Sequence, residues 1–487
     1  MNDQCKKYLE AIQVLPTEDY ESVRMRPGEW FTENTGQRIG ESEPFCMKIA
    51  LAFLIMVSAW HPAWSVAAQN EIRVFQVDAE GKTGREIGAE LGRAIKSAFP
   101  DIERIYDSYL AGFIRQDQFN QWVRSGMDII RVNIDPAYQE ELSAMASTWQ
   151  ISGKDRLGDG FLSLNELWFF QLMPDVGRRT NCSGFGVLGN VSATHAPLVG
   201  RNVDWDTTED LRSLQAITVY DYGKDVLVNI GFAGYIGVIS GFNNHGLYLA
   251  HLDSPLGIRY SQPAAGAHSI VFDLRKTLEN EATVGAAAEF LMAQQFPFSH
   301  NVLMADRDEI RVLEQPDGKA SHLRTPSTPT RPEMPWGKKD QIAVVNCFVS
   351  EESPSNCIES KDIYRWQRFG ELAVFEPGGR TAQIDDLTRI MFDTANRHQA
   401  IFNAKTFQSM VFSPKDGRLF LYAAPISNNK HEKPVMTDVS HLLPKADMEN
   451  DPYRSEILLL WSVVSVMAGV VLWVVLKGRK SMADYLK

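Results

Sequence analysis

The sequence predicts an α+β protein: sheets stacked between helical layers, a helical segment ahead of them, and one transmembrane helix near the C-terminal end. Three patterns predict it. From Arg85 onward apolar residues recur at helical spacing, with Ile87, Leu91, Ile95 and Phe99 each four apart. Between Cys182 and about Ser254 the texture changes to short apolar runs broken by Gly- and Asn-rich turns, as consecutive strands require. Ile457–Leu476 (ILLLWSVVSVMAGVVLWVVL) holds 20 residues without a charge, which at a rise of about 1.5 Å per residue spans a bilayer. Helices, many strands, helices and further strands in succession are the pattern of a layered α+β domain.

Taken in order, residues 71–78 (EIRVFQVD) read as a strand, Gly81–Gly84 as a turn and Pro136–Trp149 as a second helix. Asp155–Glu166 has the spacing of a calcium loop, but Leu157 stands where an ion needs an oxygen. The preferred reading is a helix entry with Ser163 as N-cap and Glu166 closing a capping box, followed by a helix over Leu164–Leu172. Strands are predicted at Phe185–Leu188, Leu198–Val199, Leu214–Tyr222, Val226–Phe232, Gly237–Ser240 and Gly246–His251, then a helix over 268–294. Strands follow at Asn301–Ala305, Ile310–Glu314 and Gln341–Phe348, helices at 361–374 and 384–396, and closing strands at Met410–Phe412 and Leu419–Ala423.

With 487 residues, 44% of them hydrophobic, the chain can bury a large core. Its net charge of -12 gives no general attraction for phosphate backbones, so nucleic acid is excluded as an expected partner. Lys48, the apolar run Ile49–Trp60 and the small-x-small site Ser65-Val66-Ala67 predict a signal peptide over 47–67 that starts at Met47, with 1–46 an upstream extension. Lys477, Arg479 and Lys480 directly after Leu476 favour the cytoplasmic side. The expectation is a single-pass membrane protein with its body outside the cytoplasm, a linker over 426–456, the span at 457–476 and a cytoplasmic tail over 477–487. Of the five cysteines, Cys347 and Cys357 can close a short loop, leaving Cys182 as an odd thiol in the exported body.

Cys182 stands where a helical segment ends and a strand begins, with Ser183 and Gly184 after it. A break before it would place a free α-amine, whose pKa is about 7.7–8.0, beside its own thiol. Such an amine can take the thiol proton, so no histidine is needed. Arg201 and Asp204 follow at R-x-x-D spacing, suited to organise that amine and the thiolate, although a surface ion pair gives the same pattern. Asn243, in a Gly-Phe-Asn-Asn-His-Gly-Leu turn, and Asn346, ending an apolar strand, are candidate oxyanion donors. Arg365 and Arg368 sit near a helix start, and either can complete an ion network with the carboxylate. No residue pattern calls for a cofactor or metal.

In this order the motifs resemble the choloylglycine hydrolase and acid-ceramidase group of N-terminal-nucleophile hydrolases, above all its acyl-CoA:6-aminopenicillanic acid acyltransferase branch. The likeness covers about residues 71–425, and includes Gly84–Leu91, Leu142–Leu167, Asn301–Glu314 and Thr406–Pro414. It implies a four-layer αββα sandwich. It also implies self-cleavage between Asn181 and Cys182 into chains 68–181 and 182–425 that stay associated, and chemistry on linear amides through a thioester. Cys182 becomes the nucleophile, Arg201 and Asp204 the organisers, Asn243 and Asn346 the oxyanion and substrate contacts, and Arg365 the network arginine. Cys347 departs from the pattern, standing where relatives often carry His. The expected substrate is a small-molecule or lipid amide, the lipid option resting on the membrane anchor. Alternatives are acyl transfer to an amine, a phospholipase B-like hydrolase, and a non-catalytic membrane-tethered adaptor.

Overall fold

The computed structural model describes residues 72–176, 181–254, 263–396, 399–426 and 434–443. The chain divides into two units, Met1–Gln69 and Asn70–Lys487, the first of which lies outside the described residues. In chain order the strands are β1 (Arg73–Asp78), β2 (Ile151–Ser152), β3 (Leu162–Ser163), β4 (Ser183–Val187), β5 (Leu198–Asp204), β6 (Gln215–Asp221), β7 (Val226–Phe232) and β8 (Ser240–Asn243). They continue as β9 (Tyr248–Asp253), β10 (His300–Ala305), β11 (Ile310–Gln315), β12 (His322–Arg324), β13 (Gln341–Val344), β14 (Thr406–Ser413), β15 (Arg418–Ala423) and β16 (Thr437–Asp438). One sheet runs β1-β6-β7-β8-β9-β10-β11-β12, a second β13-β4-β5-β14-β15-β16, and β2 pairs with β3 alone.

The two large sheets pack face to face. Phe232 stacks on Phe407 at 5.1 Å, and Phe242 meets Phe412 at 4.3 Å, each pair joining one sheet to the other. Helices cover the outer faces. Phe369, on the helix Ser360–Leu372, stacks on Phe185 of β4 at 5.8 Å. On the other side the helix Ile270–Asn280 lies over β8, with Leu278 and Val271 filling the space beside Gly241 and Gly237. The layers are therefore helix, sheet, sheet, helix. A strand in such a sheet is buried on both faces, which is why β7 (VLVNIGF) reads as a continuous apolar run rather than an alternation.

Ahead of the sheets, the helix Gly84–Ala98 crosses Pro136–Ser147 with almost no side-chain spacer. A Cβ on Gly88 would lie 2.0 Å from the Glu141 carbonyl oxygen, and one on Gly84 2.0 Å from that of Ala137. The same contact seats Glu141 to meet Arg275 at 2.8 Å, both wholly buried, and Tyr220 donates to Glu141 at 3.1 Å. The Arg275 guanidinium lies between the rings of Tyr138 and Tyr220, 4.4 Å and 4.2 Å from their centroids. Burial pushes the Glu141 carboxyl up and Arg275 pulls it back, so the pair shares one desolvated pocket.

Several boundaries differ from those the sequence predicts. The helix expected over 268–294 is two, Ile270–Asn280 and Val284–Met292, because Thr283 caps the second by accepting from Ala286 N–H. The strand expected at Gly237–Ser240 begins only at Ser240. Asn229 takes the carbonyls of Tyr235 and Gly237, and Gln171 accepts from Ile236 N–H, so this backbone is tied to side chains instead of a ladder. The capping box at Ser163 and Glu166 forms as predicted, and Cys347 and Cys357 are joined in a disulfide.

The membrane expectations need correction. No described helix is long and apolar enough to cross a membrane. The longest of the described helices, Gly84–Ala98 and Ser360–Leu372, have 15 and 13 residues and are amphipathic, whereas a span needs about 20 apolar residues. The fold is thus α+β without an established transmembrane helix, and membrane attachment and single-pass localisation are withdrawn with it. Ile457–Leu476, on which they rested, lies outside the described residues, as does the 47–67 segment.

The crossing at Gly88 supplies a first test. Gly88→Ala is expected to lower unfolding stability by about 3 kcal/mol, since backbone must move. Gly285→Ala, exposed in a helix with nothing within 4 Å, is expected to be neutral or stabilising by about 0.5 kcal/mol. Denaturant titration of both variants checks the pair.

Candidate active site

Cys182 directly precedes β4, and β4 pairs antiparallel with β5 so that Gly184 faces Arg201 and Ser183 faces Asn202. Arg201 and Asp204 are three apart on β5, and residues an odd number apart on a strand point to opposite faces. The R-x-x-D spacing therefore sends Arg201 into the gap between the sheets and Asp204 towards the helix Ser360–Leu372.

Arg201 is wholly buried. Its guanidinium donates to the Ile239 carbonyl at 2.7 Å, just ahead of β8, and to Ser240 Oγ and the His251 carbonyl on the facing sheet. The remaining direction reaches Cys182 Sγ at 3.4 Å. Burial pushes the Cys182 thiol up, the Arg201 charge pulls it down, and the Asp204 charge adds to the rise. A thiol so placed needs somewhere for its proton to go when it attacks.

Asp204 is equally buried and fully engaged. Arg365 Nη2 donates to it at 2.5 Å, Thr406 Oγ1 at 2.6 Å and Asn403 Nδ2 at 2.8 Å. Arg365, fixed by this ion pair, turns Nη1 to the Asn181 carbonyl at 3.3 Å and the Cys182 carbonyl at 3.5 Å. Asn181 is held further by its own N–H on the Asp204 backbone carbonyl at 2.9 Å and by Lys361 Nζ on its side-chain oxygen at 2.5 Å. Between the two arginines considered, Arg365 meets Asp204, while Arg368 pairs with Asp393 and Glu371.

The two asparagines part company. Asn346 donates to the Asp253 carbonyl at 2.7 Å, at the end of β9, where Arg201 also reaches. Asn301 on β10 holds Asn346 in place by donating to the carbonyls on either side of it, Val345 and Cys347, at 2.9 Å and 3.2 Å. Asn243 is spent on the fold: its amide donates to Leu278 and Glu281 carbonyls, and its oxygen accepts from His245 and Leu247 N–H. Both donor hydrogens being taken, it has none for an oxyanion.

Sequence reasoning missed Thr406 and Asn403, whose polar stretch before an apolar strand was the available signal. It missed Lys361, and Asp362 beside it. It also missed Tyr248, a buried strand tyrosine that burial pushes up to about 12 against the pull of Arg201, with the Cys182 charge also felt. Asp362 is wholly buried; the Asn346 backbone lies beside its carboxyl, but neither oxygen receives a hydrogen bond of good geometry. Burial pushes its carboxyl up to about 6, against the pull of Arg365 and Lys361. Among the described residues no group of His, Cys, Asp and Glu could hold a metal ion.

No protein-family model matches the chain, and no curated protein matches it. Similar solved structures include a Caenorhabditis elegans ortholog of N-acylethanolamine-hydrolyzing acid amidase, 16% identical, covering 48% of this chain and 93% of that one with a TM-score of 0.37. A variant of conjugated bile acid hydrolase from Clostridium perfringens is 13% identical over 53% and 93%, with a TM-score of 0.34. Penicillin V acylase from Agrobacterium tumefaciens is 16% identical over 50% and 83%, with a TM-score of 0.27. At such identities and scores these likenesses carry no argument, and what the site can do has to follow from its own geometry.

Asp362 gives a pH test. Its folded pKa of about 6 lies above the ordinary value of 3.8, so the ionised form destabilises the fold. That stability is present at low pH and lost as pH rises through about 6, a difference on the order of 3 kcal/mol. In a Cys182→Ala background, Asp362→Asn is expected to be the more stable protein at pH 8, with the gap closed near pH 4. Denaturant midpoints across that range decide it.

Proposed function

We propose that the protein is a self-processing cysteine amidase that cleaves its own Asn181–Cys182 bond and then hydrolyses linear amides through a thioester on Cys182. The single observation that supports this most is the position of Arg365. One face of its guanidinium is locked to Asp204, and another nitrogen lies 3.3 Å from the carbonyl oxygen of Asn181. A fixed cation on a peptide carbonyl next to a cysteine is placed to stabilise charge as it develops there.

In self-processing, Cys182 Sγ bonds to the Asn181 carbonyl carbon while that carbon's bond to the Cys182 nitrogen breaks. The thiol proton ends on the departing nitrogen. Water then attacks the thioester, a C–O bond replaces the C–S bond, and a water proton restores the thiol. The α-amine released on Cys182 becomes the base for later turnovers. A substrate amide follows the same atoms: its acyl carbon joins Sγ, its nitrogen leaves protonated, and water frees the acid. Asn346 is a second candidate donor to the oxyanion. The parts are expected to stay together, because β1, from the segment before Cys182, pairs with β6 along its whole length.

Denaturing gels with N-terminal sequencing test the reading. Wild type is expected to give a chain beginning Cys-Ser-Gly-Phe, and Cys182→Ala to remain whole. Asp204→Asn, which loosens Arg365 without emptying its place, is expected to slow processing by about 10²-fold. An uncut wild type, or a Cys182→Ala protein cut at the same bond, would rule the mechanism out.

A further inference from the structure

Asn181 is the first acyl group that Cys182 carries if the mechanism above holds, and the groups around it then describe where an acyl group sits. Its carbonyl oxygen accepts from Arg365, its N–H donates to the Asp204 carbonyl at 2.9 Å, and its side-chain oxygen accepts from Lys361 Nζ at 2.5 Å. In the thioester of self-cleavage and in that of a substrate, the acyl carbon is bonded to the same Sγ. Whatever flanks the α-position and side chain of Asn181 in one therefore flanks the acyl half in the other.

That surround is polar on every side described. Beside the Asp204 carbonyl and the Lys361 ammonium lies Asp362, wholly buried, close enough to Lys361 and Arg365 to feel both charges and with the Asn346 backbone next to its carboxyl. A plain alkyl chain entering here would take water from the partly exposed Lys361 ammonium and offer it no acceptor in return. An acyl group with an N–H at its α-position and an acceptor on its side chain reproduces the contacts of Asn181.

We propose that Lys361 and the Asp204 carbonyl form the acyl subsite of the processed enzyme, and that it takes N-acylated α-amino acyl groups with a hydrogen-bond-accepting side chain rather than unfunctionalised fatty acyl groups. Lys361 is the specificity-determining residue: its ammonium reads the side-chain acceptor. Its other contact is Glu359, at 2.6 Å. The inference rests on the amidase reading, and deepens it by naming the acyl class.

Three amides with one fluorogenic amine, 7-amino-4-methylcoumarin, test it: the N-acetylasparaginyl, N-acetylleucyl and hexanoyl compounds. Processed wild type is expected to prefer asparaginyl over leucyl by about tenfold or more in kcat/KM, as a charge-assisted hydrogen bond would give. In Lys361→Met that preference should shrink to roughly threefold or less. Leucyl or hexanoyl turned over as fast as asparaginyl by wild type, or an undiminished preference in Lys361→Met, overturns the subsite. So does processed enzyme inert to all three amides; the amidase reading is then judged by its self-cleavage. Self-processing offers an independent arm: Asn181→Leu is expected to cleave about tenfold more slowly and Asn181→Asp near the wild-type rate. Equal rates for Asn181→Leu and wild type overturn the proposal, and an uncut wild type removes it together with the function it rests on.

Discussion

The site depends on one buried ion pair, Asp204 with Arg365. Asp204 comes from β5 of the six-stranded sheet and Arg365 from the helix that covers it. Two charges taken out of water are tolerable only when every lone pair is answered. Thr406 and Asn403 answer those of Asp204, and the Ala400 carbonyl takes Arg365 Nε at 3.1 Å. What remains of the guanidinium points at the carbonyls of Asn181 and Cys182, and the nearer of the two is the one before Cys182. A hydrophobic pair of similar size would hold helix to sheet as well, but would leave that carbonyl unaddressed.

Arg201 does the complementary work on the other side of the strand. By binding Ser240 and His251 of the facing sheet, and Ile239 just ahead of β8, it fixes the separation of the layers where Cys182 leads into β4. The thiol is thus enclosed between a cation that favours its thiolate and a low-polarity surround that opposes it, with burial the larger influence. Such a cysteine stays quiet until something takes its proton. In the uncut chain its nitrogen is a peptide nitrogen and no base. The same atom becomes an amine only after the first reaction, so processing and activation are one event in this account.

Much of this was legible in the sequence, for reasons that can be named. The order of Cys182, Arg201, Asp204, Asn346 and Arg365 survives folding as a cluster because β4 and β5 are a hairpin and β13 and the following helix return to it. Strands such as β7 and β10 show as apolar runs because both faces are covered. Asn243 misled because a Gly-flanked asparagine in a turn looks alike whether its amide is free or tied to the helix Ile270–Asn280. Asp362 and Lys361 stayed invisible because a charged pair at a helix start is ordinarily solvated, and only the tertiary fold buries this carboxylate. The transmembrane expectation came from composition alone, and no described helix supports it.

Trapping with hydroxylamine tests the central claim most directly. If Cys182 attacks the Asn181 carbonyl, freshly made protein incubated with hydroxylamine at neutral pH passes through a thioester that the reagent can intercept. Mass spectrometry of the released N-terminal part should then find Asn181 as its hydroxamate, with Cys182 as a free N-terminal residue. A product ending only in the Asn181 carboxylate under saturating reagent, or a cut at any other bond, would contradict the account.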